Sequence, residues 1–142
     1  MRLTSFTDFG LRALMRLAGE PGRSFATSEI AAEFGISRNH LAKVVRDLAD
    51  FGFISTQRGV GGGFTLARPA RSITVGEVVR ALEGPALVEC FREDGGHCAL
   101  KPRCRLKARL AAAREAFMRE LDATTLEECA YPAPERRSAV PA

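Results

Sequence analysis

The chain has 142 residues, 46% of them hydrophobic and 27% charged, with a formal net charge of +4. That is enough apolar matter for one domain with a core, which excludes wholesale disorder; with no run near the roughly 18 apolar residues of a membrane span and no apolar core in Met1–Asp8, a cytoplasmic protein without a membrane partner is expected. The basic excess lies at one end, since residues 1–80 carry 11 Lys+Arg against 7 Asp+Glu and residues 81–142 carry 10 against 10, and a polyanion suits that distribution.

From Ser5 to about Ala18 the residues Phe6, Phe9, Ala13, Leu14 and Leu17 recur at helical steps, and Gly19-Glu20-Pro21-Gly22 ends the helix they describe. Thr27 is the expected N-cap of a second helix, with Glu29 in its first turn, Ile30, Ala31 and Phe34 on its apolar face and Gly35 as its stop. Ser37 caps a third helix in which Leu41, Val44, Val45, Leu48 and Phe51 face inward. Two helices joined by Gly35-Ile36-Ser37 make a helix-turn-helix, a motif that brings the N-terminal residues of its second helix to base edges in the major groove. Ser37, Arg38, Asn39, His40 and Lys43 are therefore the predicted DNA contacts. Arg pairs in bidentate fashion with guanine and Asn with adenine, so these side chains suit sequence reading as well as phosphate contact.

Phe53–Thr56 and Phe64–Leu66 read as short strands, and the glycine-rich stretch Arg58–Gly63 between them as the tip of a β-wing. Arg58 and Gly62 are predicted to meet DNA there, glycine letting the backbone come close to a groove. A nucleotide phosphate cradle is not expected, because the stretch lacks Gly-Lys-Ser/Thr and the helix start that motif needs. Thr74 and Glu77 form a capping box for a helix carrying Val75, Val78, Val79 and Leu82, which Gly84-Pro85 terminates. From Arg103 to about Leu121 the residues Leu106, Leu110, Ala113, Phe117 and Leu121 step by four, three, four and four, close to a coiled-coil seam, and pairing between two subunits is expected. Thr124 and Glu127 read as a second capping box. The predicted fold is mainly α with a small β-wing: a winged helix-turn-helix over 1–72, a connecting helix and cluster-binding loop over 73–102, a dimerisation helix region over 103–130 and a disordered tail over 131–142.

Between the last two helices lies Cys90-Phe91-Arg92-Glu93-Asp94-Gly95-Gly96-His97-Cys98-Ala99-Leu100-Lys101-Pro102-Arg103-Cys104. Three of the four cysteines sit in this loop, with Gly95-Gly96 in the first gap and Pro102 in the second. In a reducing compartment clustered cysteines are more often metal ligands than disulfides. Soft thiolates select zinc, copper(I) or iron-sulfur clusters, and three cysteines without paired Cys-x-x-Cys spacing fit poorly to a closed zinc site, so an iron-sulfur cluster is the leading reading. A cubane needs a fourth ligand. Asp8, His97, Glu89 and Cys129 are the candidates, although His97 and Glu89 adjoin cysteines and cannot easily reach a different iron of the same cluster.

Thr4-Ser5-Phe6-Thr7-Asp8, Ser37-Arg38-Asn39-His40-Leu41, Arg58-Gly59 with Gly62-Gly63, Val78-Val79-Arg80, Leu87-Val88-Glu89-Cys90-Phe91 and Cys104-Arg105-Leu106-Lys107 together resemble the NsrR repressors, nitric-oxide-sensing iron-sulfur regulators of bacteria. The resemblance covers roughly residues 1–128. It implies a homodimer whose cluster-bound form binds an inverted-repeat operator on double-stranded DNA, and which lets go when nitric oxide breaks the cluster down. It also implies that Asp8 reaches the cluster of the other subunit. The related IscR regulators have a His shortly after the third cysteine, where this chain has Lys107, which favours the NsrR reading over an IscR-type regulator of iron-sulfur homeostasis. The same difference favours, less strongly, a [4Fe-4S] over a [2Fe-2S] centre. A non-regulatory iron-sulfur redox protein, or a zinc-stabilised DNA-binding protein using His97, are the readings from other classes.

Overall fold

Thr4 Oγ1 accepts the Thr7 N–H at 3.3 Å and so caps the first helix, α1 (Ser5–Gly19). α2 (Thr27–Phe34) starts differently from expectation. Thr27 is its first helical residue rather than its cap, and Ala26 at the cap position supplies only its carbonyl, which accepts from Glu29 and Ile30. The start is fixed instead by Phe25, held in an extended bridge to Phe64 by two backbone hydrogen bonds of 3.0 and 2.9 Å. Gly35 then takes the left-handed conformation at φ 65°, which ends α2 and turns the chain into α3 (Arg38–Asp50). Ser37 caps α3 by accepting the His40 N–H at 3.4 Å.

β1 (Ile54–Gln57) and β2 (Gly63–Leu66) pair antiparallel in the register Ile54↔Leu66 to Gln57↔Gly63. The strands lie one residue on from the predicted bounds at β1 and begin one residue earlier at β2. Phe51 stands at the end of α3, 53% exposed, and not in the core as predicted; the chain turns at Gly52 before the burial stripe reaches it, and Phe53 is buried in its stead. After a 3-10 turn at Ala70–Ser72 comes α4 (Val75–Leu82), with the predicted capping box formed by Thr74 and Glu77. A second 3-10 turn at Glu89–Phe91 leads into the cysteine loop and then α5 (Arg105–Asp122). The computed structural model describes residues 2–84, 86–101 and 103–132.

The core joins Leu14 and Leu17 of α1, Ile30 of α2, Leu41, Val44 and Leu48 of α3, Val78 of α4, and Phe25, Phe64, Ile73 and Leu126 from outside the helices, all fully buried. Full burial of one such side chain contributes about 1.5–3 kcal/mol. α1 packs on α3 and α4, α2 packs on α3, and α5 leans on α4.

Leu126 belongs to a segment that the sequence places after the last long helix. Its N–H donates to Ile73 O at 2.8 Å, the Val75 N–H donates to Thr124 O at 2.9 Å, and the Tyr131 N–H donates to Met15 O at 2.9 Å. Residues 124–131 are thus a strap that binds the end of α5 to α1 and to the start of α4. The second capping box exists one residue later than predicted, between Thr125 and Glu128, and closes a turn of this strap rather than a helix. Gly19 has no freedom to be anything else, because a Cβ there would sit 1.9 Å from Tyr131 O. The predicted disordered tail accordingly cannot begin at Tyr131; its remainder, residues 133–142, lies outside the described residues.

Candidate nucleic-acid interface and cysteine loop

Ser37, Arg38, Asn39 and Lys43 are exposed on the first turns of α3, and among the described residues the side chains of Arg38, Asn39 and Lys43 make no hydrogen bond or ion pair. They are available to a ligand. His40 is placed otherwise than expected. It sits four residues before the buried Val44, hence on the inward face, and its half-buried ring meets Phe9 edge-on with centroids 5.1 Å apart and Phe6 at 6.2 Å. His40 therefore serves as packing between α1 and the recognition helix in this structure.

On the wing, Arg58 and Val60 are exposed, and Gly62 is half-buried with its N–H donated to Gly59 O at 2.9 Å, which closes the tip. The Phe25–Phe64 bridge anchors this hairpin to the segment between α1 and α2, so the wing is fastened to the same helices that carry the recognition helix.

The residue that periodicity missed is Arg16. It is only 2% exposed, on the buried face of α1 between Ala13 and Leu17. Its Nε donates to both carboxylate oxygens of Glu33 at 2.9 and 3.0 Å, Glu20 lies 3.2 Å away, and its guanidinium stands 4.8 Å over the Phe25 ring, with that of Arg23 at 4.3 Å. A buried cation is tolerable only when paired, and this one ties α2 to α1 beneath the helix-turn-helix. The Arg23 guanidinium, helped by Arg16, holds the Glu20 carboxyl below the usual carboxylate range. A charged residue inside an apolar stripe is the signal that was there to be read.

The cysteine loop is built from local turns. Cys90 lies in the second 3-10 turn, Cys98 in the middle of the loop, and Cys104 immediately before α5; all are free thiols, half-buried, as is Cys129 in the strap. Glu89 Oε1 accepts the His97 N–H at 3.0 Å, Asp94 Oδ1 accepts the Gly96 N–H at 2.9 Å, and Lys101 Nζ donates to Gly95 O. Among the described residues no three His, Cys, Asp or Glu side chains gather as a metal site. Asp8 is spent within its own helix, accepting from Arg12 Nε at 3.1 Å and Nη2 at 2.6 Å.

Along α5 only Met118 is buried. Of the predicted seam, Leu106 is 62% exposed and Ala113 is exposed, while Leu110, Phe117 and Leu121 are half-buried. Beside it, a cleft of about 540 Å³ runs between α4 and α5, floored by Leu3, Val79, Leu87 and Phe117. No helix among the described residues is long and apolar enough to cross a membrane.

A capped recognition helix with a free polar edge, a glycine-terminated turn before it and an anchored two-stranded wing define a winged-helix DNA-binding protein. The chain belongs to the Rrf2 family: the model of that family, described as iron-dependent transcriptional regulator, matches residues 3–131. Solved structures agree. The chain is similar to CymR (YrzC), the global cysteine regulator of B. subtilis, at 28% identity and a TM-score of 0.74 over 92% of this chain and 96% of that one. It is similar to the oxidized form of Staphylococcus aureus CymR at 28% identity and a TM-score of 0.74, over 94% and 99% of the two chains. It is also similar to IscR of T. potens at 25% identity and a TM-score of 0.71, over 90% and 85%. This protein is a transcriptional regulator.

Proposed function

We propose that this regulator is a nitric-oxide-sensitive repressor of the cytoplasm, which binds operator DNA as a homodimer while an iron-sulfur cluster is held by Cys90, Cys98 and Cys104. The observation that carries the reading is three free, half-buried thiols on one loop joining α4 to α5, in a member of a family described as iron-dependent. The donor set fits such a group chemically, since soft thiolates are its ordinary ligands. A [4Fe-4S] centre would leave one iron for Asp8 of the second subunit, a hard and weakly held ligand that must first leave Arg12. When bound, the cluster supplies iron that nitric oxide can attack.

The chain's own residues then carry the consequence. Cys104 directly precedes Arg105, so gathering the thiols constrains the first turn of α5. The other end of α5 is tied by the bidentate pair of Arg80 and Asp122, both contacts 2.5 Å, and by the strap to α1. Ordering the loop thus sets how α5 meets its partner, and with it the spacing of two recognition helices over half-sites roughly 34 Å apart. A coupling of about 1–3 kcal/mol suffices for such control.

An IscR-type regulator of iron-sulfur homeostasis is the second reading, favoured by the likeness to T. potens IscR. Anaerobic purification tests both. A brown protein with bound iron and sulfide, losing its visible absorption and its operator on addition of nitric oxide, is expected. A brown protein that keeps its operator under nitric oxide favours the second reading, and a colourless protein that binds the operator overturns both.

A further inference from the structure

We propose that Glu89 is a positioning residue which, with Gly96, clasps the cysteine loop so that the segments carrying Cys90 and Cys98 are held together before any metal arrives. The inference rests on the reading of that loop as a thiolate site and adds to it the residue that prepares the site. Glu89 immediately precedes Cys90, and His97 immediately precedes Cys98. The 3.0 Å hydrogen bond from the His97 N–H to Glu89 Oε1 therefore joins the two cysteine-bearing segments by their neighbours.

The main chain makes the same closure. Gly96 lies at φ 59°, and a Cβ on it would stand 2.5 Å from Glu89 O, a distance no side-chain carbon tolerates, so the two segments touch backbone to backbone. A succession of turns brings them there: the Arg92 N–H donates to Glu89 O at 3.1 Å, the Gly95 N–H to Arg92 O at 2.8 Å and the Gly96 N–H to Asp94 Oδ1 at 2.9 Å. The ring from residue 89 to 97 is closed without using a thiol. Loop closure is an entropic cost that a metal would otherwise meet on binding, and closing the ring beforehand leaves affinity in hand.

Full-length, cluster-free protein carrying Cys129→Ala, titrated anaerobically with Cd²⁺ and followed by the sulfur-to-cadmium charge-transfer absorption, reads the gathering of the three loop thiols directly. Glu89→Ala is expected to weaken Cd²⁺ binding about tenfold, the worth of one well-placed hydrogen bond. Gly96→Ala is expected to weaken it similarly. Glu89→Gln, whose amide oxygen still accepts from His97, stays within about twofold of the parent. Equal affinity in the parent and in both alanine variants overturns the clasp, as does Glu89→Gln falling as far as Glu89→Ala, which would make the carboxylate act by its charge. If the protein proves colourless when purified anaerobically yet Glu89→Ala still weakens Cd²⁺ binding, the cluster reading fails and the clasp stands.

Discussion

The recognition helix and the cysteine loop are held in opposite ways. The recognition helix buries its own Leu41, Val44 and Leu48 fully, while Arg16 fastens α1 to α2, the Phe25–Phe64 bridge fastens the wing to the segment between them, and the strap fastens the end of α5 to α1 and α4. From Cys90 to Cys104 no described side chain is fully buried, and order comes from short turns and a few hydrogen bonds. Segments with few buried contacts open at little cost, and elements that switch are drawn from them. A reader of DNA gains from rigidity, whereas a loop that senses, as proposed here, must change when its ligand is lost.

The sharpest way to break this comparison is to remove the thiols proposed as the loop's ligands. Replacing Cys90, Cys98 or Cys104 by Ala is expected to abolish bound iron and sulfide, and Cys129→Ala to leave both unchanged, as measured by analysis of anaerobically purified protein. A normal cluster in Cys98→Ala with loss in Cys129→Ala would overturn the assignment.

Attacking the rigid half instead calls for Gly19→Ala, which drives a methyl group into the Tyr131 carbonyl and parts the strap from α1. Overpacking of this kind costs about 1–3 kcal/mol, measurable as a lower urea midpoint. If stability is unchanged, the strap does not brace the domain.

Smaller, and confined to DNA, are the effects at the reading edge. Arg38→Ala and Asn39→Ala are each expected to reduce discrimination between operator and random DNA by about 1–3 kcal/mol in gel-shift competition. Arg58→Ala on the wing should weaken binding uniformly and lower the salt slope by about 1. Unchanged discrimination in both helix variants would move base reading elsewhere.

The smallest effect is a pH dependence in the rigid half alone. The Thr74 N–H donating to Glu77, joined by Arg68, holds the Glu77 carboxyl below the usual range against the opposing pull of burial. A carboxylate depressed on folding stabilises the fold above its unfolded pKa, and that share is lost as pH falls through the lower, folded value. Acid unfolding should therefore be shallower in Glu77→Gln, with the two proteins converging at the lowest pH. A parallel acid transition in both would remove Glu77 from the account.

The helix-turn-helix, the wing and the capping box of α4 were readable because each rests on local chemistry: Ser37 before its helix, Gly35 in the turn, Thr74 three residues ahead of Glu77. What escaped depends on pairs far apart in the chain. Phe25 finds Phe64, Arg16 finds Glu33, and Tyr131 finds Met15 only once the helices pack, and those contacts set the start of α2 and make a strap of residues 124–131, of which only Tyr131 falls in the predicted tail. His40 was misplaced for a related reason, since its neighbours Phe6 and Phe9 stand on another helix. Of the proposed site, the clustering of three cysteines is visible in the sequence, whereas the hydrogen bond between Glu89 and His97 is not.

The claim that the loop governs the rigid half is tested most directly by operator affinity at one fixed salt concentration, measured on the same preparation cluster-loaded, treated with nitric oxide, and stripped of its cluster. Binding at least about tenfold tighter in the loaded protein than in either other form, the worth of a coupling near 1.4 kcal/mol, is the predicted result. Equal affinity in all three would mean that the loop and the reader are not coupled, and would contradict the account.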